Sequence, residues 1–241
     1  GLNQREHQAR LYVANLVGEH PDISRIPDLN WRSRIWQFAY YRRFGAREAS
    51  ADILHGHFTP LLPLLYPERS IVHYHGTAVW ELPLYRHQAC ARRYHQAHYI
   101  FCARWVGERF AKMYPQMPRD HLHVIYNGAD IDAFRPANPP RTEKPVRIIF
   151  YAGWIPEKGI YELLDAVELI ESKRTDFEVW YGGSAFSHYE RPQSREIDEK
   201  VRSHAARLKT VKLIGHIAHA DLPTLLQQTD IGCVPSIYED P

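Results

Sequence analysis

Lys158 and Gly159 stand between an apolar run, Val146 to Tyr151, and a segment in which Ile160, Leu163, Leu164, Val167 and Ile170 recur at helical spacing. A loop that leaves a strand and enters a helix gathers unpaired backbone N–H groups and the positive end of the helix dipole, which together favour an anion, most often a phosphate. Gly159 would let the backbone approach such a ligand, and the Lys158 ammonium can neutralise a diphosphate. By itself the Gly-x-x-x-x-Lys-Gly pattern is short and more often describes a plain turn with a solvated lysine. Two histidine pairs offer other chemistry. His55 and His57 share one face of a strand, as do His73 and His75, because side chains two apart point the same way. Imidazoles so placed can donate and accept hydrogen bonds at a cleft, cap a strand end, or coordinate zinc. A metal-dependent hydrolase would add carboxylate or nitrogen ligands at later strand ends, and no convincing set follows. Glu239 and Asp240, read by themselves, are solvated loop acids.

These residues need elements to hold them. Apolar runs of strand length at 52–57, 70–75, 98–103 and 121–126 alternate with helix-like segments at 85–96 and 104–114. Pro136, Pro139, Pro140 and Pro145 then mark a linker. A second series follows, with strands at 146–151, 177–181, 211–214 and 230–234 and helices at 161–173, 196–208 and 221–228. Strand and helix alternating in this way predict an α/β protein of two Rossmann-like domains, parallel sheets with helices on both faces. The first domain is expected over 1–137 and the second over 138–241, with a ligand in the crevice between their strand-end loops. Residues 8–18 read as a helix ending near Gly18, so the chain is expected to open without a strand. Asn30 to Arg47 carries five arginines, no acid, and interleaved Trp31, Trp36, Phe38, Tyr40 and Tyr41. That composition fits either an amphipathic helix with solvated arginines or a surface for anionic lipid.

Composition narrows the class. At 241 residues, 44% hydrophobic and 24% charged, the chain can bury a core, and a net charge of +2 does not argue for nucleic acid. Three widely spaced cysteines, Cys90, Cys102 and Cys233, form neither a disulfide framework nor a zinc ribbon, which points to a reducing, cytoplasmic setting. No apolar run reaches the roughly 18 residues of a membrane span.

Read in order, the pieces resemble the retaining glycosyltransferases of the GT-B fold, specifically glycosyltransferase family 4. The matching pieces are Asp52-Ile53-Leu54-His55-Gly56-His57, Val72-His73-Tyr74-His75-Gly76, and Val124 to Asp130 with Phe134 and Pro136. They continue with Gly153 through Lys158-Gly159, Gly182-Gly183, Leu213 to Ile217, and Val234 to Pro241. The resemblance covers roughly residues 50 to 241 and implies transfer of a hexosyl unit from a nucleotide-sugar donor, UDP- or GDP-linked, to a hydroxyl acceptor. It implies no metal and no other cofactor, and no nucleic-acid partner. His75 would contact the donor sugar or the acceptor at the reaction centre, Lys158 the diphosphate, and Asp240 the sugar hydroxyls. Gly153, Trp154, Gly159, Gly182, Gly183, His216, Ile217 and Glu239 would line the donor. Trp154 stands where the family usually has an arginine, which removes one cation from the expected phosphate clamp. The family also places a first strand and a Gly-rich loop ahead of the opening helix, and a second acid beyond Pro241, so both ends are expected to be cut. The rival readings are a hydrolase using His55, His57, His73 and His75, and a catalytically silent binding protein. The acceptor could be lipid-linked, with Asn30 to Arg47 resting on a membrane.

Overall fold

The computed structural model describes residues 11–13, 23–25, 34–48, 50–76, 82–186 and 193–238. The chain separates into two compact units, Gly1–Tyr126 and Asn127–Asp240, and the divide precedes the proline-rich stretch.

Unit 1 opens with β1 (Leu11–Val13) and β2 (Ile23–Arg25), paired in parallel with Leu11 opposite Ile23. The helix expected over 8–18 is therefore corrected at Leu11–Val13, the rest of that range lying outside the described residues, as is the expectation of no strand at this point of the chain. Leu, Tyr and Val in succession favour a pleated strand once a partner is present, and pairing outweighs the helical spacing of the same apolar residues. After α1 (Arg34–Arg47) come β3 (Leu54–His57), α2 (Leu62–Leu65), β4 (Ser70–Tyr74), α3 (Gln88–Tyr94), β5 (His98–Phe101), α4 (Arg104–Met113) and β6 (Leu122–Val124). The sheet order is β3-β4-β5-β6, all parallel. All four strands form where apolar runs place them, each shorter than its run.

Alternation sorts the faces of this sheet. Ser70, Val72 and Tyr74 of β4 point into the core, while Ile71 and His73 face the other way. Tyr74, Tyr94, Tyr99, Phe101 and Phe110 are fully buried there. Each contributes roughly 1.5–3 kcal/mol by leaving water. The hydroxyls of Tyr94 and Tyr99 donate to the carbonyls of Pro83 at 2.9 Å and Tyr94 at 3.0 Å, so burial leaves them bonded.

Unit 2 contains β7 (Val146–Tyr151), α5 (Ile160–Glu171), β8 (Phe177–Gly182), α6 (Ser194–Ala205), β9 (Val211–Gly215), α7 (Leu222–Gln227) and β10 (Ile231–Gly232). Ile160, Leu163, Leu164 and Val167 form the buried stripe of α5, at the spacing that first marked the helix. The parallel sheet runs β10-β7-β8-β9. From β7 the chain winds outward through β8 and β9, then returns to place β10 on the other side of β7. That reversal makes a topological switch point at the carboxyl ends of β7 and β10, the place where open α/β sheets bind ligands. These sheets and helices confirm the expected α/β architecture.

Candidate functional site

Four loops meet at the carboxyl edge of the unit 2 sheet, and glycines let them do so. Gly159 has φ 68°, and a Cβ there would stand 1.9 Å from the Pro235 carbonyl oxygen. The loops after β7 and β10 therefore touch backbone to backbone at the switch point. The Ile237 N–H donates to the Glu157 carbonyl at 3.1 Å, which ties the same two loops again. Gly183 has φ 115°, and a Cβ on it would meet the Ala152 oxygen at 1.8 Å. Its N–H donates to Gly215 O at 2.8 Å, drawing in the loop after β9. Tyr151 O–H completes the set by donating to Ile217 O at 2.8 Å. Because left-handed backbone and close approach coincide at Gly183, Gly183→Ala is expected to destabilise the protein by at least about 2 kcal/mol. An unchanged urea midpoint would contradict this packing.

Pro156–Lys158 forms a single 3-10 turn, and α5 starts at Ile160 with no side chain capping it. An uncapped helix start carries N–H groups and a partial positive charge, both suited to a phosphate. Lys158 is half-buried beside it, and it is the only lysine or arginine in the described parts of the four loops. At the opposite strand ends of unit 2, Arg141, Arg147 and Lys212 pair with acids. Asp230 accepts from Arg147 N–H at 2.7 Å and from Arg141 Nη1 at 2.6 Å, which holds its carboxyl below the usual carboxylate range. Glu178 pairs with Lys212 and with Arg147.

The structure thus brings together Gly153, Lys158, Gly159, Gly182, Gly183 and Ile217, with exposed His216 beside them. Trp154 lies in this loop but faces inward. It is 1% exposed, its Nε1–H donates to Gly182 O at 3.1 Å, and its backbone N–H donates to Ser184 O at 3.0 Å. The donor-lining role expected of Trp154 is corrected accordingly: both of its N–H groups are used and its ring packs against Tyr181 in the core. Arg202 stacks over that ring at 5.6 Å and bonds Asp198 at 2.7 Å. Glu239 and Asp240 lie outside the described residues. Sequence reasoning missed Tyr151 and Pro235 as shaping groups. Tyr151 ends an apolar run and reads as one more core residue, so no pattern marks its hydroxyl.

In unit 1, His75 belongs to a compact group of imidazoles. Its Nε2 lies 2.5 Å from His57 Nδ1, so one ring donates and the other accepts. His73 stacks on His75 with ring centres 3.9 Å apart, and His55 lies 4.8 Å from His57. Burial and the neighbouring imidazoles hold His55 and His57 below the ordinary histidine range, and bring His73 down to about 4. The three are therefore neutral near pH 7, with lone pairs available.

With this geometry in hand, comparison with known proteins identifies the chain. The Glycosyltransferase Family 4 profile matches residues 1–133, and the Glycosyl transferases group 1 profile matches residues 113–240. No curated protein matches. Among solved structures, a glycosyltransferase from Rickettsia africae superposes with a TM-score of 0.68 at 18% identity, over 91% of this chain and 61% of that one. Sucrose-phosphate synthase from Thermosynechococcus elongatus gives 0.61 at 15% identity, over 92% and 62%. A UDP-forming α,α-trehalose-phosphate synthase from Burkholderia xenovorans gives 0.62 at 10%, over 92% and 70%. At these identities the likeness establishes the fold, and the chain spans about six-tenths of the first two structures.

Proposed function

Since the chain belongs to glycosyltransferase family 4, we propose that it moves a hexosyl unit from a nucleotide-sugar donor to a hydroxyl acceptor, with retention of anomeric configuration and without a metal. The observation that carries the reading is the meeting of four loops at the switch point of unit 2, with Lys158 and the uncapped start of α5 among them. As the sugar–phosphate bond breaks, positive charge grows on the anomeric carbon and negative charge on the departing diphosphate. Lys158 and the α5 N–H groups stabilise the latter where it develops. Gly182 and Gly183 let the loops that line the diphosphate close on one another, and the Gly215-His216-Ile217 loop, braced by Tyr151, frames the base. His75 contacts the reacting sugar, while Glu239 and Asp240 accept its hydroxyl protons in hydrogen bonds. The donor is UDP- or GDP-linked.

Thermal-shift screening of the full-length protein against UDP, GDP and ADP tests the donor site, and stabilisation by none of them would reject it. Given a donor, the anomeric configuration of the product by NMR tests retention, with an inverted product overturning it.

We assign this chemistry to the cytoplasmic side of a membrane surface, with a lipid-linked or glycan acceptor. Support comes from α1, on which Trp36 and Phe38 are 65% and 40% exposed beside exposed Arg42 and Arg43. No helix among the described residues is long and apolar enough to cross a membrane. Each arginine near an anionic surface is worth roughly 1 kcal/mol. Arg42→Glu with Arg43→Glu is therefore expected to cut retention on phosphatidylserine vesicles at least about tenfold. Equal retention of variant and parent, or none by the parent, would remove the membrane role.

A further inference from the structure

We infer that unit 1 binds one first-row transition-metal ion of the zinc, copper or nickel class, with His55, His57 and His73 as its ligands. β3 and β4 pair in parallel with His57 opposite His73, so all three imidazoles project from one face of the sheet. One ring nitrogen from each lies within 4.8 Å of the others. Nitrogens bound to a common zinc at about 2.0–2.1 Å stand closer than this. The difference is closed by rotating the rings about χ2, a soft torsion for histidine.

Three features distinguish this group from histidines that merely fill a core. First, both ring nitrogens of His73 are shielded from solvent and make no hydrogen bond among the described residues. A buried polar atom left without a partner destabilises the fold, and a bound ion would satisfy one of these two nitrogens. Second, His57 has its outer partner already. With Nδ1 paired to His75 at 2.5 Å, its Nε2 is the atom left for an ion. A ligating histidine is commonly oriented through its second nitrogen in this way. Third, the donor set is nitrogen alone. Neutral imidazoles favour zinc, copper and nickel, whereas magnesium and calcium demand oxygen ligands. His55 and His57 are exposed, giving the ion a route in.

The ion takes no part in the transfer proposed above, so the two ideas fail separately. The test uses the full chain, stripped by chelator and titrated with Zn²⁺ by calorimetry and with Co²⁺ by visible absorption. We expect one equivalent bound, with the absorption of nitrogen-ligated Co²⁺, and no displacement by Mg²⁺. His55→Ala and His73→Gln should each weaken binding at least about a hundredfold, beyond what loss of an outer-shell partner alone does. His123→Ala, which disrupts a separate pair with His98 on the same sheet, should leave binding unchanged. His55 is exposed on an edge strand, so its variant keeps the fold, and circular dichroism verifies this. Failure to bind Zn²⁺, binding untouched by His55→Ala, or displacement by Mg²⁺ would each overturn the assignment.

Discussion

Lys158→Ala in the full-length protein should lower turnover by about two to three orders of magnitude, the usual consequence of deleting one group aimed at developing negative charge. The protein should still fold, because the backbone bonds that hold this 3-10 turn do not involve the lysine side chain, and circular dichroism verifies this. The loss should fall mainly on kcat, since the charge on the diphosphate grows as the bond breaks. Lys158→Arg should recover part of the activity, as it restores the charge with different geometry. A variant with parental kcat would remove the lysine from the reaction.

The second large effect concerns Trp154. Replacing a tryptophan with almost no exposure by alanine opens a cavity and should cost about 3–5 kcal/mol. That is a large part of the 5–15 kcal/mol that typically holds a domain folded. Trp154→Arg should be at least as damaging, because a guanidinium would lie against Tyr181 within the hydrophobic cluster. The outcome separates two accounts of this position. If Trp154 faced a ligand, the arginine variant would fold normally and bind nucleotide more tightly. In the geometry seen here it unfolds or precipitates, as denaturant titration of both variants will report.

Much of the architecture was legible in the sequence because parallel strands buried on both faces read as short apolar runs and their helices as stripes. Val146–Tyr151 and Ile160–Glu171 lie where those signals put them. The strand order was not legible. Nothing local in Ile231–Gly232 says that it pairs with β7 rather than β9, and that choice creates the switch point. Residues 8–18 misled because Leu11 and Val13 satisfy a helical stripe and a strand alternation equally, and only the partner at Ile23–Arg25 decides. The candidate site was partly legible. Lys158 and the glycines followed from strand-to-helix punctuation, and the histidine pairs from a period of two. The direction in which Trp154 points was not, because it depends on space beneath Gly182, at the end of β8, and Gly183 in the loop that follows it. Likewise, the stacking of four imidazoles depends on the register of β3 against β4, which no single strand records.

The central claim is that a nucleoside diphosphate rests where α5 begins. Backbone amide NMR of the full chain, isotopically labelled and titrated with UDP, GDP and ADP in turn, addresses it residue by residue. One of the three should bind and shift the amides of Gly159, Ile160, Gly183 and Ile217, with Lys158→Ala weakening the response. A nucleotide that binds while those four amides stay in place, or that shifts only residues of unit 1, would contradict it.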